Sequence, residues 1–295
     1  MKDVNFLKSR NVDVDKALEL FGDMDTYNET IKEFQSSLPE KVDFIKKYFE
    51  EKDMPNYAIY VHSLKSDCKY FGFMDLAQLA YDHELKSKAN DYAYVSEHYA
   101  ELMNKTNEIK ALVDEYLSDD VSVPVEPTPA AQPVEVMEDV PAVPVTPSAI
   151  NMAAEASSTP IVDNDVKYIM VADDSEVVRL FVKKIFNGEY EILSAKDGEE
   201  ALNLLKQYSS NSIKALLLDL NMPKVDGFAV LEYMRDNNLL DKMPVSIISG
   251  DSSKETIDRA FTYDIVDMLS KPFNDKSVKN IIDKTIIYKQ NKDVI

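Results

Sequence analysis

The sequence predicts a multidomain protein: an all-α helical bundle joined by a disordered linker to an α/β domain with a doubly wound sheet of five parallel strands. Residues 1–118 contain only two glycines and long stretches whose apolar residues lie three and four positions apart. Residues 119–165 hold eight of the 13 prolines. Residues 166–295 alternate five short apolar runs with amphipathic segments of helical length. A length of 295 residues suits about two domains.

Within residues 1–118 the apolar spacing predicts five helices that form a bundle. They cover residues 14–20, 26–52, 56–70, 74–87 and 92–117, and Pro39 is expected to kink the second of them. The third helix carries one apolar stripe with steps of four and three residues, made of Tyr57, Val61, Leu64, Cys68 and Phe71. We expect this stripe to face the core of the bundle.

Residues 119–165 have the composition of a linker. They contain nine acidic residues and no Lys or Arg, and their apolar residues follow neither a helical nor an alternating period. Proline-rich chains are extended, and like charges repel one another. We therefore expect a disordered connector between a domain at residues 1–118 and a second domain at residues 166–295.

The second domain shows the alternation of strands and helices that builds a parallel sheet. Its five apolar runs cover residues 168–172, 191–195, 215–218, 245–249 and 267–269, with a helix-length segment after each of them. Five such units predict helices on both faces of the sheet.

Composition excludes several classes of protein. A net charge of −20 argues against affinity for nucleic acid or anionic lipid, because both are bound through basic residues. The single cysteine, Cys68, excludes an intrachain disulfide and suits a reducing compartment. The sequence has neither a signal peptide nor an apolar run of about 18 residues. We expect a soluble cytoplasmic protein with no membrane partner.

One histidine of the third predicted helix lies off the apolar stripe. The residues three, four and seven positions after His62 are Lys65, Ser66 and Lys69, which predicts a polar, cationic and solvent-reachable face. A neutral imidazole is a nucleophile, and the two lysines would offset the charge of a phosphoryl group on its ring nitrogen. The alternative is an idle surface histidine. We expect the other two histidines, His83 and His98, to be surface residues.

The stretch from His62 to Ser66, HSLKS, together with Gly72 and Leu76, resembles the signature of histidine phosphotransfer domains. The resemblance covers about residues 10–117. It implies a helical bundle in which His62 carries a phosphoryl group on an exposed helix face, supported by Lys65, Ser66 and Lys69. Ser66 stands where that family commonly has a glycine that lets the partner approach.

Acidic residues follow two of the predicted strands. Asp173 and Asp174 come directly after the first strand, and Asp219 ends the third. In a flavodoxin-like strand order these two strands are neighbours, and ligands bind beyond their carboxyl ends. Three converging carboxylates need a divalent cation, and their hard oxygens favour Mg²⁺, with Asn221 adding a backbone carbonyl at most. Alternatively, Asp174 or Ser175 only caps the next helix, but one cap does not account for three acids.

Two more side chains are expected over the same crevice. Ser249 ends the fourth strand and Lys271 ends the fifth. A metal, an ammonium group and a hydroxyl donor are the parts that stabilise a phosphoryl group on a carboxylate.

This pattern, closed by Lys271-Pro272-Phe273, resembles response-regulator receiver domains over about residues 166–292. The resemblance implies that Asp219 is the phosphoacceptor, Ser249 the switch hydroxyl and Lys271 a contact of the phosphoryl group. It also implies a Mg²⁺ site made of Asp173, Asp174, Asp219 and the backbone carbonyl of Asn221. The Lys271–Pro272 peptide is cis in that family.

Together the two resemblances imply a phosphorelay protein of two-component signalling, in which His62 and Asp219 carry and exchange a phosphoryl group. The expected partners are a histidine kinase or hybrid kinase and a downstream response-regulator receiver. With six glycines and no phosphate-binding loop, the chain is not expected to be an ATP-dependent kinase or another enzyme. Either residue can be loaded first, and the sequence does not choose. A receiver-mediated dimer through residues 254–261 and 275–288 is a further expectation.

Two other classes of function stay open. The first is a binding scaffold whose phosphorylated receiver recruits a partner while His62 is vestigial. The second is a metal-dependent hydrolase. Aspartate phosphatases usually have a second acid two residues after the nucleophile, whereas here that position is Asn221.

Overall fold

The structure is a computed structural model that describes residues 1–118, 166–251 and 253–292, with side chains up to residue 289. The predicted linker, residues 119–165, lies outside the described residues.

The first region is entirely helical, with six helices in the part of the chain that the structure describes. They are α1 (Val4–Ser9), α2 (Val14–Phe21), α3 (Met24–Glu50), α4 (Met54–Phe71), α5 (Met74–Lys88) and α6 (Tyr92–Leu117). Five of them correspond to the predicted helices within a few residues. The sequence missed α1 because six residues are too few to show a helical period. Pro39 lies inside α3, which continues through it.

Short polar side chains and glycines set the helix ends. The carboxylates of Asp13, Asp23, Asp53 and Asp91 accept hydrogen bonds from backbone N–H groups at the starts of α2, α3, α4 and α6. At the end of α4, Gly72 has a φ of 77°, and a Cβ there would lie 2.3 Å from the carbonyl oxygen of Asp13. Only glycine allows this turn and this close approach.

The predicted apolar stripe of α4 faces the core of the helical region, where all five of its side chains are completely buried. Phe21, Tyr27 and Phe34 pack around Phe71 of this stripe, with their ring centroids 5.2–5.7 Å from its own.

The second region is an α/β fold with a five-stranded parallel sheet in the order β2-β1-β3-β4-β5. The strands are β1 (Tyr168–Ala172), β2 (Glu191–Ala195), β3 (Ile213–Asp219), β4 (Val245–Ser249) and β5 (Asp267–Ser270). The helices are α7 (Glu176–Ile185), α8 (Gly198–Gln207), α9 (Gly227–Asp236), α10 (Lys254–Ala260) and α11 (Asp275–Lys292). This doubly wound, flavodoxin-like order confirms the predicted fold and makes β1 and β3 neighbours.

The two regions pack against each other, with α3 of the helical region beside α7 of the α/β region. The ring of Phe21 meets that of Phe181 at 5.5 Å between centroids, and Tyr70 meets Phe273 at 5.8 Å. One continuous apolar core therefore runs from the bundle into the face of the sheet that α7 and α11 cover. Among the described residues, no helix is long and apolar enough to cross a membrane.

Candidate functional site

The three predicted acids converge at the carboxyl edge of the sheet. Asp173 and Asp174 follow β1, Asp219 ends the adjacent strand β3, and one carboxylate oxygen of each lies within 4.8 Å of the others. Asp173 and Asp219 are completely buried. Burial disfavours the charged form, which raises the pKa of Asp173 to about 7 and also raises the pKa of Asp174, and the negative charge of Asp219 adds to both shifts.

Lys271 supplies the positive charge that holds these acids together. It follows β5, and its Nζ lies 2.6 Å from an oxygen of Asp173 and 2.6 Å from an oxygen of Asp219. Burial alone would lower the pKa of Lys271, but the carboxylates outweigh it and leave the pKa above its usual range. The Lys271–Pro272 peptide is cis, as the resemblance implied.

Two further predicted residues lie beside the acids. Ser249 ends β4, is completely buried and accepts a hydrogen bond from the backbone N–H of Asp251 at 3.0 Å. The backbone N–H of Asn221 donates to Asp219 at 3.1 Å. Ser175 caps α7 through the N–H of Val178, so the capping alternative holds for that residue while the three acids still converge.

The expectation that His62 is reachable by solvent was wrong. His62 lies off the apolar stripe of α4 as predicted, yet only 1 % of it is exposed, because the α/β region covers this face of the helix. A Cβ on Gly250, directly after β4, would lie 3.0 Å from Cε1 and 3.1 Å from Nε2 of the imidazole. The histidine therefore stands against the loop that begins at Ser249, one of the predicted site residues.

The two ring nitrogens of His62 have different surroundings. Nδ1 lies 2.6 Å from a carboxylate oxygen of Glu84 on α5, whereas Nε2 is buried without a hydrogen-bond partner. A carboxylate next to Nδ1 favours the tautomer that carries its proton there. The lone pair of Nε2 is then directed toward the α/β region.

Glu84 is the centre of the charge cluster around His62, and sequence reasoning missed this role. Besides the imidazole it accepts hydrogen bonds from Lys65 at 2.5 Å and Lys88 at 2.6 Å. Burial raises the pKa of the Glu84 carboxyl, but His62 and the two lysines lower it more, so it lies well below its usual range. Glu84 is 22 positions from His62 in the sequence, and the packing of α5 on α4 brings the two side chains together.

The three predicted supporting residues are also less accessible than expected. Lys65 is buried and pairs with Glu84, and the Ser66 hydroxyl would lie 3.8 Å from a Cβ on Gly250. Lys69 is half-buried, and burial together with the charge of Lys65 lowers its pKa.

The surface assignment was also wrong for His83. It is 1 % exposed, and its Nδ1 lies 2.7 Å from the hydroxyl of Tyr57. Burial lowers the pKa of His83 to about 4. His98 is half-buried and stacks on Tyr94 at 4.1 Å between ring centroids. Tyr57 and Tyr94 enclose the face of α5 that carries His83, which the local sequence does not show.

A buried polar cluster joins the two regions next to His62. Asp67 is 1 % exposed, pairs with Lys41 of α3 and accepts a hydrogen bond from the hydroxyl of Ser175 at 2.6 Å. One turn further along α4, the hydroxyl of Tyr70 accepts a hydrogen bond from the backbone N–H of Phe273 at 3.3 Å. Sequence reasoning missed the contacts with Ser175 and Phe273 because these partners lie more than 100 positions away.

Two cavities open at this junction. One, of about 500 Å³, is lined by Pro55, Ala58, Ile59, His62, Ser87, Lys88, Asn90 and Asn221. The other, of about 300 Å³, reaches Ser63 and Asp174 among its lining residues. The first cavity therefore reaches His62, and the second reaches one of the three acids.

Comparison with known proteins identifies the α/β region. Residues 169–283 match the family described as the response regulator receiver domain. The chain is 25 % identical over 120 residues to the chemotaxis protein CheY homolog of Campylobacter jejuni, which covers 40 % of this chain and 91 % of that protein. It is 33 % identical over 114 residues to the transcriptional regulatory protein CpxR of Escherichia coli, which covers 38 % of this chain and 45 % of that protein.

Other relatives are longer than the matched region. The match to the two-component response regulator ARR2 of Arabidopsis thaliana is 28 % identical and spans 50 % of this chain but only 21 % of that protein. Among solved structures, the Francisella response regulator 1452 receiver domain is 30 % identical, with a TM-score of 0.37, and the match covers 42 % of this chain and 98 % of that one.

The α/β region is a response regulator receiver domain, since the family match and the predicted fold agree. Its relatives indicate a part in two-component phosphorelay signalling. The family match lies wholly within the α/β region, and the first region is helical.

Proposed function

We propose that the protein is a phosphorelay component in which His62 and Asp219 carry and exchange a phosphoryl group. The helical region then acts as a histidine phosphotransfer domain. One observation carries the proposal: Nε2 of His62 is buried without a hydrogen-bond partner and stands against Gly250, at the mouth of the acidic site. A buried nitrogen with no partner costs free energy, so its presence calls for an explanation, and a role in phosphoryl transfer supplies one.

The chemistry balances with the groups present. The lone pair of Nε2 attacks the phosphorus of an acyl phosphate on Asp219. The N–P bond forms, the P–O bond breaks and Asp219 leaves as a carboxylate. The proton on Nδ1 stays in place, and the carboxylate of Glu84 stabilises the positive charge that develops on the ring. The reverse reaction loads Asp219 from phosphohistidine.

The receiver site has the groups that a phosphoryl group needs. Lys271 and Ser249 would contact its oxygens, because both side chains lie at the carboxyl edge of the sheet beside Asp219.

A Mg²⁺ site also fits these residues. Asp173, Asp174 and Asp219 would hold the cation with the backbone carbonyl of Asn221, since one carboxylate oxygen of each lies within 4.8 Å of the others and Asp173 and Asp219 are buried. When bound, Mg²⁺ offsets the charge of the phosphoryl oxygens.

The proposed partners are a histidine kinase or hybrid kinase and a downstream receiver, and the chain is a carrier rather than an ATP-dependent enzyme. A receiver-mediated dimer belongs to the same proposal, supported by the exposed side chains of Phe261 and Ile287 within the two predicted pairing segments.

The test is phosphopeptide mapping of the full chain after loading with labelled acetyl phosphate and Mg²⁺. We expect label on Asp219 and then acid-labile, base-stable label on His62. The variant Asp219→Asn should lose both labels, and His62→Gln should keep only the acyl phosphate. If Asp219→Asn still labels His62 from a phosphorylated kinase, the route through the receiver first is excluded.

The second candidate is a phosphorylation-switched scaffold with a vestigial His62. The observation in its favour is the almost complete burial of the imidazole under the receiver, as in a docking contact. Absence of phosphohistidine under conditions that fully phosphorylate Asp219, and with every phosphorylated kinase tried, would favour the scaffold.

A further inference from the structure

We propose that the receiver covering His62 belongs to the same chain, so that each molecule contains its own docking partner for the helical region. The proposal concerns docking. Its consequence for transfer between His62 and Asp219 rests on the proposed function.

The polar cluster around Asp67 makes the pairing specific. Its carboxylate is almost completely buried, and its partners are Lys41 on its own side and the Ser175 hydroxyl on the receiver. A receiver with an acidic or bulky residue in place of Ser175 would leave the Asp67 carboxylate without this hydrogen bond and would crowd it. Leaving a buried carboxylate without a hydrogen-bond donor costs free energy. The cluster therefore selects a receiver that has a small side chain with a hydroxyl donor at this position.

Aromatic contacts around that cluster bury apolar surface between the two regions. Phe21 and Tyr70 of the helical region meet Phe181 and Phe273 of the receiver, with centroids 5.5–6.4 Å apart, and all four rings are buried. Burial of rings at the centre and a polar contact beside them is the arrangement of a specific interface.

The receiver also provides the space that the imidazole needs. Any side chain at Gly250 would place its Cβ within about 3 Å of the His62 ring, closer than ordinary van der Waals contact. Gly250 therefore admits this histidine at the mouth of the receiver site.

Chain connectivity favours an intramolecular pair. Residues 119–165 can span roughly 160 Å if fully extended, so their length permits docking within one molecule. A partner on the same chain is present at a local concentration that dilution does not change.

The docking test uses an ion pair at the rim of the interface. Nζ of Lys184 lies 2.6 Å from the carboxylate of Glu29, and both side chains are accessible. A carbodiimide joins such a pair as an amide with loss of water. We would treat an equal mixture of ¹⁴N- and ¹⁵N-labelled full chains and identify the joined peptides by mass. The Lys8–Asp15 pair, at 2.6 Å within the helical region, serves as the internal control.

The expected result is a Glu29–Lys184 amide in which both peptides carry the same isotope. The variant Lys184→Arg keeps the charge and should lose this product alone. Gly250→Val should reduce its yield several-fold while the Lys8–Asp15 product is unchanged. Peptide pairs of mixed isotope would show that the receiver comes from a second copy. If the Glu29–Lys184 amide does not form while the Lys8–Asp15 amide forms normally, the two regions do not dock. Either result overturns the proposal.

The kinetic test separates this proposal from the proposed function. Once Asp219 is labelled, the rate at which His62 gains label should be unchanged over about a hundredfold dilution of the protein. A rate that falls in proportion to concentration contradicts same-chain docking while supporting phosphoryl exchange. If no label ever reaches His62 but the same-isotope amide forms, the proposed function fails and the docking proposal stands.

Discussion

The cluster of side chains around His62 and the cluster around Asp219 have central groups of opposite charge. Around His62 a single carboxylate, Glu84, holds an imidazole and two lysines, whereas around Asp219 a single ammonium group, from Lys271, holds two carboxylates. The difference suits their chemistry: the first cluster can stabilise a ring that becomes positive, and the second can accept the negative charge of a phosphoryl group. In both, one central charged side chain pairs with more than one partner.

The largest expected effect comes from removing the centre of the receiver cluster. Lys271→Met leaves two buried carboxylates without a counterion, and breaking a buried ion pair costs about 3–5 kcal/mol. The free energy of unfolding, measured with urea at pH 7.5 without Mg²⁺, should fall by that amount. Lys279→Met is the matched control, because Lys279 is exposed and its Asp275 partner lies 3.9 Å away. Equal losses in the two variants would refute the central role of Lys271.

The next expected effect comes from the buried imidazole of His83. Because the pKa of His83 falls from 6.5 to about 4 on folding, the unfolded chain binds more protons at this site between those pH values. The contribution of His83 to the free energy of unfolding is therefore fully present above about pH 6.5. As the pH falls toward 4, about 3 kcal/mol of that free energy is lost.

Urea unfolding between pH 7 and pH 4.5 measures this contribution. The variant His83→Leu should lose less unfolding free energy on acidification than the wild-type protein. An unchanged pH profile for His83→Leu would contradict the assignment.

The smallest expected effect tests the centre of the other cluster. Glu84→Gln keeps an acceptor oxygen but removes the charge, so the buried Lys65 loses its counterion and stability falls by about 1–3 kcal/mol. The Nδ1-protonated tautomer of His62 should become less populated, which ¹⁵N NMR of the imidazole reports, and transfer to Nε2 should slow. Glu97→Gln, at an exposed position of α6, is the control. If the tautomer ratio stays at the wild-type value, Glu84 does not position the proton on Nδ1 of His62.

The two clusters also differ in how far they could be predicted from the sequence. Asp173, Asp219, Ser249 and Lys271 each stand at the end of a strand, and a parallel sheet brings such ends to one edge. Their proximity therefore followed from strand order alone. The position of His62 off the apolar stripe of α4 was equally predictable, since it depends on helical periodicity.

The surroundings of His62 were not predictable in that way. Its expected exposure was wrong because a second region covers the polar face of α4, and neither helical phase nor composition reports such a contact. Glu84 comes from the next helix, while Gly250 and Ser175 come from beyond residues 119–165. His83 was misassigned for a related reason: Tyr57 and Tyr94 enclose it from other helices.

By itself, the sequence determined the helices other than α1, the parallel sheet and the convergence of three carboxylates with a lysine and a serine, because local periodicity and strand order fix these features. Only the tertiary structure decided that the two sites face one another, that Glu84 holds Nδ1 of His62 and that Gly250 leaves room for the ring. The physical reason is that burial, and with it the state of a charged or titratable side chain, depends on every element that packs around it, including elements distant in the chain.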